Sequence, residues 1–419
     1  MTKQTSSLYC RKCGDENELL NSLNGCLNCL KNGIKHPVEI KYNLAHISKN
    51  FFDLSYKNKP HTIWRWSQLL PNTTNKITLG EGNTPLIESK NIANELNIDK
   101  FYFKYEGSNP TGSFKDRLNV IAFSKGKDFN IKNATVSSSG NQGVSLAAYS
   151  YAANMKSLIF CPPYVEEKII KELLLRNSTP VVLTEYGDPA LKVVEQLVNN
   201  YSYYVSTRNF PRPFANPYGI EGYKTISFEI YEQLSVVPDK IFVPTGGGDS
   251  IYGVWKGFRE IHQAGIVEKK PKMFACQSKL GGDSLVKSYK SKSNRAAIVN
   301  TGDSKAISIR VKQSGDHGLW AINESNGGAY SISEKEIDEA LTVIGNHGLC
   351  VDPSSAVSFA GVLKRKKENL LDNSDIIICI LTASGQRWDQ SMSHLEKLKK
   401  SVPQFDPSNG KIENLLNKI

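Results

Sequence analysis

The sequence predicts an α/β protein with two doubly wound open sheets and a small N-terminal zinc-ribbon-like module. Three features lead there. Beyond residue 81, short apolar runs alternate with amphipathic segments of helical length; several of those runs end in turns rich in glycine and serine; and residues 10–29 carry two paired cysteine knuckles. Continuous apolar runs between helices are the pattern of parallel strands buried on both faces. Polar turns after such strands stand where open α/β sheets gather ligands.

Cys10, Cys13, Cys26 and Cys29 form C-x2-C-x12-C-x2-C, with Gly14 and Gly25 beside the knuckles. Four thiolates so spaced can surround one tetrahedral Zn2+, and because protein ligands then fill all four positions the metal is structural. A small disulfide or redox element is the alternative. Cys161, Cys276, Cys350 and Cys379 lie in apolar segments and are expected as reduced core residues. The aromatic stretch NFFDLSYKNKPHTIWRWSQLLP, 50–71, has no clear period and is expected to pack across the main body.

The alternation then begins. Strands are expected at FYFKYE (101–106), NATVSSSG (133–140), SLIFCPP (157–163), TPVVLTE (179–185), SYYVST (202–207), KIFVPTG (240–246), KMFACQS (272–278) and DIIICILTASG (375–385). Helices are expected between them, among them RLNVIAFS (117–124), YKTISFEIYEQL (223–234) and SIYGVWKGFREIHQAG (250–265). Residues 281–330, rich in Gly, Ser, Asn and Lys, read as a surface insertion. A chain of 419 residues exceeds one small core. The boundaries predicted are a module at 1–35, a large domain of 36–110 with 206–419, and a small α/β domain at 111–205.

The net charge is +11, from 52 Lys and Arg against 41 Asp and Glu. The basic runs at 364–367 and 397–400 fall in helix-like segments and read as solvated faces, because charge alone specifies no partner. A nucleic-acid-binding zinc ribbon is the competing class, but aromatics interleaved with basic residues are not evident beside the knuckles. No run approaches the roughly 18 apolar residues that span a bilayer, and MTKQTSSLYCRKCG has no apolar signal core. A cytoplasmic protein with neither nucleic-acid nor membrane partner is expected.

Three strand-end turns carry the chemistry. SSSGNQG (137–143) offers hydroxyls and helix-start amides to a carboxylate or phosphate. TGGGDS (245–250) lets bare backbone approach a phosphate, with Asp249 read as facing away to cap the following helix. LTASGQRW (381–388) places neutral hydroxyls at a rigid strand end. With Lys115, in the first turn of the helix after NPTGSF, these supply an imine-forming amine, two anion cradles and a hydroxyl for a heteroaromatic nitrogen. Those are the needs of pyridoxal phosphate. Taken singly, each turn reads equally as structural.

EGNTPL, NPTGSFKDR, SSGN, NPYGIEGYKT, PTGGGDSIYG and LTASG occur in the order found in threonine synthases and their relatives, so that residues 80–390 resemble the fold type II pyridoxal-phosphate enzymes. The resemblance implies a lyase that converts O-phospho-L-homoserine and water to L-threonine and phosphate, acting on a small amino acid, commonly as a homodimer. Lys115 resembles the lysine that binds the cofactor and shuttles protons. Asn141 is similar to the asparagine on the cofactor's 3′-oxygen, and Ser138, Ser139, Gly140 and Gln142 to the loop that holds the substrate carboxylate. Gly246, Gly247, Gly248, Asp249 and Ser250 match the cofactor-phosphate loop, and Thr382 the hydroxyl facing the pyridine nitrogen. The cysteine module also occurs in some threonine synthases.

One stretch departs from the family. Where threonine synthases carry an Asn-Ser pair, an Arg and a Thr for the substrate's own phosphate, this chain has Pro213, Phe214, Gly219 and Gln142. Loss of the arginine removes a bidentate phosphate clamp. Arg208 and Arg212, just upstream, are the candidates to replace it. The departure leaves open β-elimination or β-replacement on a serine-, threonine- or cysteine-type amino acid.

Overall fold

The computed structural model describes residues 6–17, 25–34, 36–45, 47, 50–53, 61–185, 187–207 and 216–396. Strands β1 (Ser6–Tyr9), β2 (Glu16–Asn17) and β3 (Glu39–Tyr42) form an antiparallel sheet in the order β2-β1-β3. β4 (Leu86–Glu88) and β5 (Lys100–Tyr105) begin a six-stranded sheet. β6 (Asn133–Ser137), β7 (Lys156–Cys161) and β8 (Thr179–Val182) make a separate three-stranded one. β9 (Lys240–Pro244), β10 (Lys272–Ser278), β11 (Gly328–Ile332) and β12 (Ile376–Leu381) then return to the first. The large sheet runs β11-β10-β9-β12-β5-β4, parallel except for β4, and the small one β6-β7-β8 is parallel throughout. The apolar strand runs thus fold as two open α/β sheets, with helices supplying the crossovers that parallel pairs require.

Three expectations are corrected, the first being Cys350, which is exposed while Cys161, Cys276 and Cys379 are buried as expected. The run 202–207 enters the small sheet only through the bridge of Tyr204 to Ala134. It comes off a helix at left-handed Ser202 (φ 57°) and turns Ser206 toward Gln142, whose Nε2 donates to its Oγ at 3.0 Å, so it does not continue along the sheet edge. Residues 281–330 are not a surface insertion. They hold helices Ser284–Lys290 and Asp316–Glu324 and lead into edge strand β11, with Leu285, Leu319 and Ile322 buried. Their serines are polar in composition but bonded inward: Ser284 Oγ donates to Ala297 O at 2.6 Å and Ser314 Oγ to Gly246 O at 2.7 Å.

Helix Pro217–Leu234 is buried from Pro217 to Ile230 and organises its neighbours. Asn216 caps it by accepting from the amides of Tyr218 and Gly219, with Pro217 pre-set for the first turn. Helix Lys115–Asp128 lies so close that a Cβ on Gly222 would stand 1.8 Å from Arg117 O. On the other side, a Cβ on Gly257 of helix Asp249–Gln263 would stand 1.9 Å from Ser227 Oγ. The aromatic connector packs on the same helix, Trp66 lying 5.7 Å from Phe228 and Phe51 5.9 Å from it.

A neutral set of four buried charges joins these parts. Arg117 donates to Glu106 through Nε (2.6 Å) and Nη2 (2.9 Å), and to Glu229 through Nη1 (2.7 Å) and Nη2 (2.8 Å). Lys104 Nζ of β5 donates to Glu229 at 2.9 Å, and Glu229 also accepts the amides of Asn83 and Thr84 at 2.8 and 3.2 Å. Removing one partner of such a cluster strands a buried charge, at a cost of about 3–5 kcal/mol. Arg117→Ala is therefore expected to lower unfolding free energy by about that amount, read from denaturant titration.

Candidate active site

Lys115 begins its helix beside strand end Thr382, Phe114 N donating to Thr382 O at 2.9 Å. Its two neighbours turn elsewhere. Asp116 accepts from Thr111 N at 2.7 Å and Ser145 Oγ at 2.6 Å, while Arg117 enters the charge cluster. Lys115 is left at the wall of a cavity of about 230 Å³ together with Ser138, Ser139, Gly140, Asn141, Gln142, Gly247, Asp249 and Thr382. Its Nζ lies 3.4 Å from Tyr223 Oη of the central helix and 4.6 Å from the Phe114 ring centroid. Burial lowers the ammonium to about 8, against the opposing pull of Asp249.

The glycine loop closes one side. Gly246 stands where a Cβ would lie 3.1 Å from Ile309 Cα, and Gly248 takes φ +100° against Gly318, a conformation that favours glycine. Helix Asp249–Gln263 starts with no side-chain cap, leaving its first amides to an anion, and Ser250 is buried in that first turn. The capping role expected for Asp249 is thus corrected: its Oδ1 lies 2.8 Å from His317 Nε2, and the chain reaches the cavity wall through it.

The opposite side is the start of helix Asn141–Ala152, also without a side-chain cap. Ser138 Oγ is already occupied, accepting from Gly140 N (3.2 Å) and Gly143 N (2.9 Å), whereas Ser139 faces the cavity. Gln142 Nε2 bonds Asn119 Oδ1 and Ser206 Oγ, and its Oε1 has no hydrogen-bond partner. Asn141 Oδ1 accepts from Arg387 Nη1 at 2.7 Å, and the same guanidinium grips both oxygens of Glu172 at 2.9 Å and Thr111 O at 2.9 Å. At the strand end Thr382 Oγ1 pairs with Ser355 Oγ at 2.9 Å, and Ser355 bonds Asp352. Burial raises Asp352 to about 6.

Sequence reasoning missed Asp352, Tyr223 and Arg387. Asp352-Pro353 opens helix Pro353–Lys367, and an Asp before a Pro is a helix-start signal that was there to be read. Arg387 lies inside LTASGQRW, but nothing in its spacing points across to Asn141.

Residues 77–383 match the family model described as pyridoxal-phosphate dependent enzyme. The threonine synthase of Methanocaldococcus jannaschii is 31% identical over 90% of this chain and 91% of its own, and that of Methanosarcina acetivorans is 31% identical over 90% of each. The chain belongs to the threonine synthase family. The fold also matches solved structures of tomato threonine deaminase isoform 2 (TM-score 0.63, 21% identity, 75% of this chain and 87% of that one) and maize serine racemase (TM-score 0.63, 20% identity, 76% and 94%). As a member of the threonine synthase family the chain is a pyridoxal-phosphate dependent enzyme of the fold type II class.

The departures from the family divide. Pro213, Phe214, Arg208 and Arg212 lie outside the described residues. Gly219 does not line the cavity: a Cβ there would stand 2.9 Å from Leu118 Cγ and 3.3 Å from Leu118 O. Leu118 fills the direction in which an arginine would leave the helix.

Gly140 is tied to Trp388, whose ring would lie 2.2 Å from an added Cβ. Overpacking of this kind costs about 1–3 kcal/mol, so Gly140→Ala is expected to lower unfolding free energy by about that amount in a denaturant titration, and Trp388→Phe in the same chain to recover part of it.

Proposed function

We propose that this protein converts O-phospho-L-homoserine and water to L-threonine and phosphate, with the residues predicted from sequence forming its site. The observation that carries the reading is Lys115, a buried amine lowered to about 8 that shares one cavity with a glycine loop, an uncapped helix start and a strand-end hydroxyl. The cavity fits the cofactor. Gly246 and Gly248 pack against the backbone of Ile309 and Gly318, where a Cβ would crowd them, so the loop brings Gly247 to the cavity wall beside the uncapped helix start, and the donors are those an anionic heteroaromatic aldehyde needs.

When bound, pyridoxal phosphate supplies an electrophilic carbon for the amino group and draws electrons from the substrate's Cα–H bond. Gly246, Gly247, Gly248, Asp249 and Ser250 hold its phosphate through backbone amides. Asn141 offers Nδ2 to the 3′-oxygen while Arg387 holds its Oδ1. Thr382 gives the ring nitrogen a neutral partner. The loop of Ser138, Ser139, Gly140 and Gln142 receives the substrate carboxylate through the Ser139 hydroxyl and the amides left free at the helix start, while Ser138 Oγ holds the loop's shape by accepting from Gly140 N and Gly143 N. Lys115 Nζ would hold the cofactor and, as a neutral amine, would move protons at the substrate's Cα and Cβ. Phosphate leaves with its oxygen from Cγ, a proton is lost from Cβ and one is gained at Cγ to complete the methyl group, and water adds its hydroxyl at Cβ while its remaining proton goes to the phosphate.

A second reading, β-elimination or β-replacement on a serine-, threonine- or cysteine-type amino acid, is favoured by one observation: Leu118 fills the side of Gly219. Further readings accompany the first: domains at 1–35, 36–110 with 206–419, and 111–205; a homodimer; and a cytoplasmic location, for which no described helix is long and apolar enough to cross a membrane.

We also propose a structural Zn2+ at Cys10, Cys13, Cys26 and Cys29. Their sulfurs lie within 4.8 Å of one another, with Cys10 to Cys29 at 3.7 Å and Cys13 to Cys26 at 3.5 Å. Tetrahedral thiolates at 2.3 Å from zinc stand about 3.8 Å apart. The site is tied to the body through Arg11, which bonds Glu39 at 2.9 Å and reaches Glu324, beside His36 stacked on Trp320 at 5.4 Å.

The holoenzyme given O-phosphohomoserine should release threonine and phosphate in equal amounts, and Lys115→Ala should lose both and the cofactor's imine absorbance. Absence of threonine from cofactor-loaded wild-type protein would sink the first reading and leave the second. Because only the neutral amine attacks the aldehyde and burial brings Lys115 from 10.5 to about 8, the rate of cofactor capture by apoprotein should climb as pH rises toward about 8 and level off above it. Metal analysis should find one zinc per chain, and Cys29→Ser should remove it and lower the melting temperature of the N-terminal module.

A further inference from the structure

Among the described residues, none placed so far meets the far anion of the substrate. Gly219 is closed off by Leu118, and the Gln142 side chain gives its Nε2 to Asn119 Oδ1 and Ser206 Oγ, leaving it no donor directed at a further anion. Among the described residues that line the cavity, the cationic side chains are Lys115 and Arg310. Lys115 is committed to the cofactor.

Arg310 stands at the cavity's mouth, on the wall it shares with an adjoining space of about 630 Å³. Its backbone is held in place. Ser308 N donates to Ser354 Oγ at 3.2 Å, Ile309 abuts Gly246, and Val311 N donates to Gly281 O at 3.0 Å. Its charge is only loosely matched. Nη1 is 3.5 Å from Asp303, a fully exposed carboxylate, and Nη2 bonds the neutral hydroxyl of Tyr164, whose ring lies 5.5 Å away. Exposed pairs of this geometry are weak, so an entering anion can displace Asp303. The other cation of the adjoining space, Lys312, is paired with Asp188 at 2.8 Å. Arg387 gives its charge to both oxygens of Glu172.

We propose that Arg310 is the specificity-determining cation of this site, binding the terminal phosphate of the amino-acid substrate in place of the cation absent at position 219. This rests on the O-phosphohomoserine reading above. A guanidinium suits the role because its planar fork meets a phosphate with two parallel hydrogen bonds. Its partner Tyr164 follows β7 of the small sheet while Arg310 belongs to the segment packed on the glycine loop of the large one. The phosphate would thus sit where the walls of the two sheets meet.

The test uses cofactor-loaded protein and 2-amino-5-phosphonopentanoate, a phosphonate that cannot eliminate, with norvaline as its uncharged control. Binding is read from the cofactor's absorbance change. A hydrogen-bonded charge pair is worth about 1.5–3 kcal/mol, so Arg310→Ala should weaken the phosphonate by about 10- to 100-fold. Norvaline should move less than twofold, and Arg310→Lys should regain part of the phosphonate affinity. Kinetically, Arg310→Ala should raise KM for O-phosphohomoserine far more than it lowers kcat. Equal phosphonate affinity in wild type and Arg310→Ala, or an equal loss of norvaline, would overturn the proposal. If wild type makes no threonine yet binds the phosphonate through Arg310, the reaction reading falls and the anion subsite stands.

Discussion

The interaction on which the rest depends is the buried contact of Arg117 with Glu106 and Glu229. It brings together a turn after β5, the first helix that follows it and the central helix Pro217–Leu234, with every group nearly inaccessible to water. Isolated, each of these charges would be strongly disfavoured in the interior. Together they sum to zero with Lys104, and the carboxylate oxygens are satisfied further by Thr84 and backbone amides. The arrangement tolerates little movement, because a shift that lengthens one bond strands a charge. Lys115 lies two residues away and inherits that rigidity.

This accounts for an electrostatic oddity. A cation in the first turn of a helix opposes the helix dipole. Here burial already favours the neutral amine, and the acidic neighbour Asp116 occupies the first turn with it. The dipole and the desolvation act in the same direction, toward an uncharged nucleophile, while Asp249 resists by favouring the ammonium. A solvated lysine at this position would lack the desolvation. The lowered basicity of Lys115 comes from the fold around it.

The same logic sorts what could be read from the sequence. The two sheets were legible because parallel strands are apolar throughout, as in IIICIL of β12, and because helices of ordinary length separate them. The three strand-end turns were legible only as a set with Lys115, because glycine and serine after a strand are also ordinary turn chemistry. The family motifs were legible as a pattern but not in their purpose: Glu81 accepts from Tyr149, Asn109 bonds Glu106 and the amide of Gly82, and Thr84 and Arg117 bond each other and Glu106, all of them buried rather than turned to the cavity. What stayed hidden was long-range. Arg387 reaches Asn141 over 246 positions of sequence, and no local period announces such a contact. Residues 281–330 misled through composition, because buried serines bonded to backbone resemble a solvated loop until their partners are known.

Gly219 illustrates the limit of reading a substitution by itself. From sequence, glycine in place of an arginine is a lost clamp. In the fold, position 219 faces Leu118, and the helices meet there and again at Gly222, where no side chain fits. The change at 219 therefore belongs to a packing interface as much as to a binding site, and restoring arginine without shrinking Leu118 would force the two helices apart. Those are the helices that carry Arg117 and Glu229. An anion-binding group in this chain has to enter from a wall that does not bear on that contact, and segment 307–311, resting on the glycine loop and helix Pro353–Lys367, is such a wall.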